Sequence, residues 1–246
     1  IEKGCHIFIE KPITKTVIEA EAIRTLASQK HVLGQVGHVE RFNPAFIAVK
    51  DMIVSPMFIE CHRLAEFNPR GTDVPVVLDL MIHDIDIVLS LVDSKVRSIS
   101  ASGLSILTDS IDIAQAQIKF ENGCVSSITS SRIAKDEVRK IKTFQQNLYS
   151  TVDLYKGLTE VYTVSKKKLD EKSFLMSVPF NYKNKTRHII YEKPTIVKED
   201  ALKLELINFI NSVKGLEKPI VDGQSGRDAL NVAIEIQEKI IKGFIS

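Results

Sequence analysis

Val76–Val92 reads VVLDLMIHDIDIVLSLV. The stretch is apolar almost all the way round, so it predicts a buried helix. Helical spacing puts Asp79, His83 and Asp86, at i, i+4 and i+7, on one stripe. A buried carboxylate and imidazole are costly unless they pair or face a polar cavity. Two readings follow. The stripe is either an Asp–His pair that stitches a core, or a set of polar groups presented to a site.

Upstream of it, His6–Glu10 reads as a short buried strand, stopped at Pro12, which cannot continue a central ladder. Thr14 is placed to cap a helix over Val17–Gln29, with Val17, Ile18, Ala22, Ile23, Leu26 and Ala27 as its apolar positions. His31–Val36 is a second strand, closed by Gly37. Strand, helix and strand at this spacing make a βαβ unit, with parallel pairing and a right-handed crossover. Ligands of open parallel sheets sit beyond the carboxyl ends of the strands, so Lys11 and His38 are expected on one rim. One such unit cannot cover both faces of a parallel sheet. The chain also lacks an initiator Met and opens on Ile1-Glu2-Lys3-Gly4-Cys5, which reads as a helix end with its Gly stop. The sequence is therefore expected to begin inside a domain.

Downstream, Phe42–Met52 predicts a helix started by Asn43-Pro44, and Met57–Ala65 alternates as a strand. Glu66–Pro75 is a loop that holds Arg70. Past the buried helix, strand signals come at short spacing: Val96–Leu107, Ile111–Phe120, Cys124–Ser131, Val138–Gln145, Leu148–Tyr155, Glu160–Ser165 and His188–Lys198. Glu121-Asn122-Gly123 and Lys156-Gly157 mark turns between them. One large, mostly antiparallel sheet with helices on one face follows. Its open face is expected to carry Ile118, Phe120, Val125 and Ile128, which would need cover. The helix at Glu199–Val213 is expected to bury Leu202, Leu206, Phe209 or Ile210, and Val213. Gly215 stops it, and Arg227–Phe244 forms a last amphipathic helix.

Composition narrows the partners. The chain has 246 residues, 44% hydrophobic and 26% charged, with a net charge of +2. That charge is too small to attract nucleic acid or an anionic membrane through its bulk field. Cys5, Cys61 and Cys124 are far apart, with no CxxC spacing, which argues against a disulfide framework and a metal site. A reducing, cytoplasmic setting is the default expectation. No apolar run reaches the roughly 18 residues of a membrane span.

Glu10-Lys11-Pro12 after a strand, then Asp79-x-x-x-His83-Asp84 on a buried helix, then a run of strands and the Pro219–Gly223 turn between helices, resembles the Gfo/Idh/MocA family. Gly37-His38-Val39-Glu40-Arg41-Phe42-Asn43-Pro44 is similar to the segment carried by members acting on nucleotide-linked N-acetyl sugars. The resemblance implies an α/β chain in two domains: residues 1–38 as the remnant of a Rossmann dinucleotide-binding domain, and 39–246 as an α+β substrate-binding and oligomerisation domain. It implies hydride transfer between a sugar secondary alcohol, on a nucleotide sugar, and NAD or NADP, with NAD favoured. Family members open with a G-x-G-x-x-G turn, where the dinucleotide pyrophosphate meets a helix N-terminus. No such turn occurs in this sequence.

The family pattern assigns catalysis to Lys11, His83 and Asp79, and the cofactor side to Glu10, Lys11, Pro12 and His38. A neutral imidazole near pH 7 suits proton abstraction from an alcohol. Whether Lys11 or His83 is the base stays open at this point. Arg41, Asn43 and Arg70 are candidates for substrate phosphate or hydroxyls, since guanidinium binds phosphate bidentately. The bland alternatives are a surface lysine, a core histidine bonded to Asp79 or Asp86, and helix capping. Asp84 and Asp86 are read as secondary. Two other activities fit the same pattern: a glycosidase that uses NAD for transient oxidation and so consumes none, and a non-catalytic sensor of sugar or cofactor. Retention of Lys11, Asp79 and His83 together argues against the sensor. A homo-oligomer through the open sheet face is expected.

Overall fold

The computed structural model of the chain describes residues 1–69, 74–166, 175–183 and 185–245. Ile7–Glu10 (β1) and Gly34–Gly37 (β2) pair in parallel around the helix Val17–Gln29 (α1). The cap of α1 is Thr16 rather than the expected Thr14. Its hydroxyl accepts from Glu19 N while the Glu19 carboxylate accepts from Thr16 N, a complete capping box. The second strand begins at Gly34, three residues later than expected. His31 adopts φ 53 after the helix end, a left-handed residue that turns the chain before it can extend.

Beyond β2 come a 3₁₀ turn at Val39–Phe42 and the helix Pro44–Lys50 (α2), capped by Asn43. The strands that follow are β3 (Phe58–Leu64), β4 (Val96–Leu104), β5 (Ile113–Phe120), β6 (Val125–Ser131), β7 (Val138–Gln145), β8 (Leu148–Asp153), β9 (Leu158–Ser165), β10 (Met176–Tyr182) and β11 (Lys185–Glu192). They form one nine-stranded sheet in the order β10-β11-β9-β8-β7-β3-β6-β5-β4. Every pairing is antiparallel except β3 with β6. The strand at Met176–Tyr182 had no counterpart in the sequence reading, and the expected His188–Lys198 strand starts and ends earlier, as β11.

The buried helix is confirmed, with one departure. Ile82–Leu91 (α3) is α-helical, but Val77–Met81 before it is a π turn, in which Ile82 N donates back to Val77 O. Helix α3 and the C-terminal helix Gly223–Ile245 (α5) cover one face of the sheet. Ile59, Cys61, Ile118, Phe120, Ile128 and Ile141 point into that layer and are fully or almost fully buried. Removing such a side chain from water stabilises the fold by roughly 1.5–3 kcal/mol each. Ile118, Phe120 and Ile128 were expected on the open face, so that expectation is corrected. A strand's alternation tells which residues share a face, and the helices choose which face they cover.

The open face is built differently. Phe58, Phe144, Tyr149, Tyr162 and Tyr191 sit in direct register across β3, β7, β8, β9 and β11. Their successive ring centroids are 5.8, 4.8, 5.6 and 4.9 Å apart. Val125, also expected on this face, lies beside Phe58.

The helix Ala201–Val213 (α4) also departs from expectation. Glu205, Asn208 and Ser212 are its buried residues, while Leu202, Leu206, Ile210 and Val213 are exposed. Phe209 packs edge-on against Phe8 of β1, 5.7 Å between centroids. Helix α5 runs past β2 at close range: a Cβ on Gly226 would lie 2.5 Å from Val36 Cγ2. That glycine lets the C-terminal helix seat on the βαβ unit.

Candidate active site

Three rungs join the end of the βαβ unit to the buried helix. The first is Lys11, just past β1. Its Nζ donates to the Asp79 main-chain oxygen at 2.5 Å and lies 3.4 Å from Asp79 Oδ1. The Asp79 carboxylate stays partly open, at 45% exposure against 19% for Lys11. Asp79 sits within the π turn. Such turns add a residue to the helical register and occur often at functional sites.

The second rung is His38 and His83, one from each side. Their rings meet edge to face, with centroids 6.1 Å apart. His38 is fully buried, and both its ring nitrogens lack a partner among the described residues, as does His83 Nδ1. Burial pulls the His83 pKa well below its ordinary value, helped by the cations Arg63, Lys11 and Arg139. His38 is lowered too, chiefly by burial, against the opposing pull of Asp86. Both imidazoles are therefore neutral at pH 7.

The third rung is an ion-pair contact of 3.5 Å from Arg41 Nε to Asp86 Oδ2, with Asp86 buried and Arg41 partly so. Arg41 also donates to the Ile220 carbonyl. The stripe predicted from Asp79, His83 and Asp86 is thus present, and it faces the strand ends. It is not closed on itself: each of the three has a partner outside the helix.

The structure does not bring every candidate to this face. Asn43 is used inside the fold: Oδ1 accepts from Ala45 N, while Nδ2 donates to Glu40 Oε2 and the Leu154 carbonyl. Arg41 is used by Asp86 and Ile220. Arg70 lies outside the described residues. Glu10 stands at the rim, its Oε2 over Gly37, where a Cβ would come within 2.7 Å.

Other residues here escaped the sequence reading. Arg63 on β3 grips Asp84 with Nε and Nη2, both at 2.9 Å, and Glu40 with Nη1 at 2.7 Å. All three are buried. Burial pushes the Asp84 carboxyl up even beside the guanidinium. For Glu40, burial also acts upward, but Arg63 and Asn43 outweigh it and its pKa falls. This network anchors α3 to the sheet at Asp84, the residue next to His83. Glu205 of α4 is fully buried with no partner for either carboxylate oxygen among the described residues. Burial, with Glu10 and Asp86 as neighbouring charges, pushes its pKa up to about 8. Arg63, Glu40 and Glu205 carry no spacing signal, since their partners are remote in sequence.

The arrangement offers a neutral imidazole, an ammonium held beside it, and an open carboxylate. That set can polarise an alcohol and remove its proton. The rim also fits the reactive end of a dinucleotide, because the orphaned nitrogens of His38 and the partly exposed Lys11 leave polar groups to be met there. A cradle for the pyrophosphate is not among these residues: β1 and β2 form a two-stranded sheet, and the sequence holds no G-x-G-x-x-G. No group of three or more His, Cys, Asp or Glu that could hold a metal occurs among the described residues. No described helix is long and apolar enough to cross a membrane.

Comparison with known proteins gives matches at both ends of the site. Residues 1–38 match the model of the oxidoreductase family with an NAD-binding Rossmann fold, and residues 62–145 match a GFO/IDH/MocA C-terminal domain. The chain is 29% identical over 238 residues to UDP-N-acetylglucosamine 3-dehydrogenase of Acidithiobacillus ferrooxidans, covering 96% of this chain and 72% of that protein. It is 28% identical to the NAD(+)-dependent scyllo-inositol 2-dehydrogenase of Bacillus subtilis, over 53% of this chain and 43% of that one. The solved structure of the Acidithiobacillus dehydrogenase superposes with a TM-score of 0.84, over 97% of this chain and 71% of its own.

Proposed function

Since the chain belongs to the Gfo/Idh/MocA family of NAD-binding oxidoreductases, we propose that it oxidises a secondary alcohol of a nucleotide-linked sugar. His83 is the base, Lys11 polarises the substrate hydroxyl, and Asp79 orients both. The observation that carries this reading is the Lys11–Asp79 contact, which joins residues 68 apart in sequence one helical turn before His83. Support for the sugar nucleotide comes from the UDP-N-acetylglucosamine 3-dehydrogenase of Acidithiobacillus, while the inositol dehydrogenases that also match support only the secondary alcohol.

His83 is the better base because burial and the surrounding cations hold it neutral. A neutral imidazole accepts a proton at once, whereas an ammonium must first lose one. Lys11 then has a different task. Its Nζ reaches the Asp79 carbonyl and still faces the open side, so it can donate to the reacting oxygen without moving far. Glu10, Lys11, Pro12 and His38 would hold the nicotinamide end of NAD or NADP. When bound, that group supplies the hydride acceptor. The residues of this chain do the rest: they orient the alcohol, hold its proton and exclude water through the buried wall of α3.

Residues 1–38 are proposed as part of the dinucleotide-binding domain and 39–246 as the substrate domain. The ladder of rings on the open sheet supports a homo-oligomer, since a continuous aromatic row is unusual on a surface left to water. The test is direct. The protein is supplied with NAD or NADP and with a panel of nucleotide sugars, free sugars and inositols, and nicotinamide reduction is followed by absorbance. Reduction with a nucleotide sugar, lost in His83→Ala, is the expected result. Cleavage of a glycosidic bond without net reduction would instead establish the transient-oxidation alternative.

A further inference from the structure

We infer that His38, backed by Asp86, is a relay residue that takes the substrate proton onward from His83. The inference rests on the alcohol oxidation proposed above. It starts from buried ring nitrogens that have no hydrogen-bond partner among the described residues, namely His38 Nδ1, His38 Nε2 and His83 Nδ1. Native folds rarely leave such atoms unmatched, and bridging water is their usual partner. The two rings are 6.1 Å apart between centroids, too far for a direct bond and within the span of one water.

The groups facing His38 are known from every element packed on it. Helix α3 presents His83 and Asp86, the 3₁₀ turn presents Arg41, and the end of β1 presents Glu10 and Lys11. Helix α4, packed on the same turn, adds Glu205, which feels Glu10 and Asp86. Asp86 is the charge that favours a proton on His38, and Arg41 keeps that carboxylate in place. Glu205 already holds its proton at neutral pH, so it cannot serve as the acceptor there. His38 is neutral, and can.

The step balances. The substrate O–H bond breaks and its proton goes to His83, while the carbon-bound hydrogen leaves as hydride to the nicotinamide. His83 gives up the proton on Nδ1, which His38 binds through the bridging water. His38 is then an imidazolium beside Asp86. Release of that proton to solvent restores two neutral rings. In this scheme His38 never touches the substrate.

The experiment compares wild type with His38→Gln, which keeps polarity and cannot take the proton. With cofactor and a nucleotide sugar, kcat should fall by about 10–100-fold, at or below the range for a direct acid–base group. The KM for the sugar, which His38 does not touch, and the melting temperature should stay as in wild type, and the solvent deuterium isotope effect on kcat should rise. An unchanged kcat and isotope effect, with wild type active, overturns the relay. A wild type that reduces no nicotinamide with any sugar overturns the proposed function instead. A second measurement needs no variant and no turnover. ¹⁵N NMR of the histidine rings in the wild-type chain, followed from about pH 8 downward until the rings protonate, should show His38 and His83 titrating as one coupled pair. A His38 ring that does not respond while His83 titrates overturns the relay even if His38→Gln fails to fold.

Discussion

Lys11 Nζ lies 2.5 Å from the main-chain oxygen of Asp79 and 3.4 Å from its carboxylate. A lysine at a strand end is thereby fixed to a turn of the buried helix. The contact is partly open to solvent, and exposed pairs contribute only about 0–1 kcal/mol. Lys11→Met should therefore leave the melting temperature nearly unchanged while turnover falls roughly 10²–10⁴-fold. A variant that melts early with normal turnover per folded molecule would make Lys11 a structural residue.

The Arg63 network should behave in the opposite way. Its partners Asp84 and Glu40 are buried, so removal of the guanidinium strands two carboxylates in the core. Breaking a buried pair by removing one partner costs about 3–5 kcal/mol. Arg63→Met is expected to lower the denaturant midpoint sharply. Adding Asp84→Asn and Glu40→Gln should recover part of the loss, since the stranded charges then disappear.

Glu205 predicts a pH signature. Its folded pKa is raised to about 8 from 4.5, so the native state binds the extra proton. Stability from this group is fully present below about pH 4.5 and declines as pH rises through about 8. Glu205→Gln mimics the protonated form and should flatten that decline in thermal melts. An identical slope in both proteins would sink the assignment.

His83 and His38 act at the other end of the scale. Their folded pKa values are lowered, so the unfolded chain takes up protons first as the solution is acidified. Their contribution is present above about pH 6.5, the unfolded value, and is lost as pH falls below it. Replacing His83 by Gln should make the protein less sensitive to mild acid, as read by melting temperature against pH.

The row from Phe58 to Tyr191 predicts association. Phe144→Ser with Tyr149→Ser removes the two rings that stack at 4.8 Å in the middle of the row. Sedimentation should show the wild type as an oligomer and the double variant as a monomer with the same fold. A wild-type monomer at working concentration would remove the sheet face from the proposal.

Much of this architecture was legible. Helix α1 and strand β7 have the limits that periodicity assigned, because a capping box closes one and turn residues bound the other. Helix α4 was misjudged because its apolar residues outnumber the polar ones. Yet Glu205, Asn208 and Ser212 also recur at helical spacing, and that minor stripe is the one the fold buries. Within the site, the convergence of Lys11 with the helix came from family likeness. Hydropathy alone allowed Lys11 on a surface loop. The grip of Arg63 on Glu40 and Asp84 left no trace in spacing, because ion pairs between strand and helix are set by the tertiary packing.

The π turn at Val77–Met81 carries one residue more than an α-helix of the same span would need. Successive helical positions are rotated by roughly 100°. Deleting one residue from this turn would therefore swing Asp79 about a quarter-turn round the axis, away from Lys11, while leaving His83 to Leu91 seated. The helix thus has a phase as well as a sequence, and a one-residue deletion could silence the site while leaving every residue named in it intact.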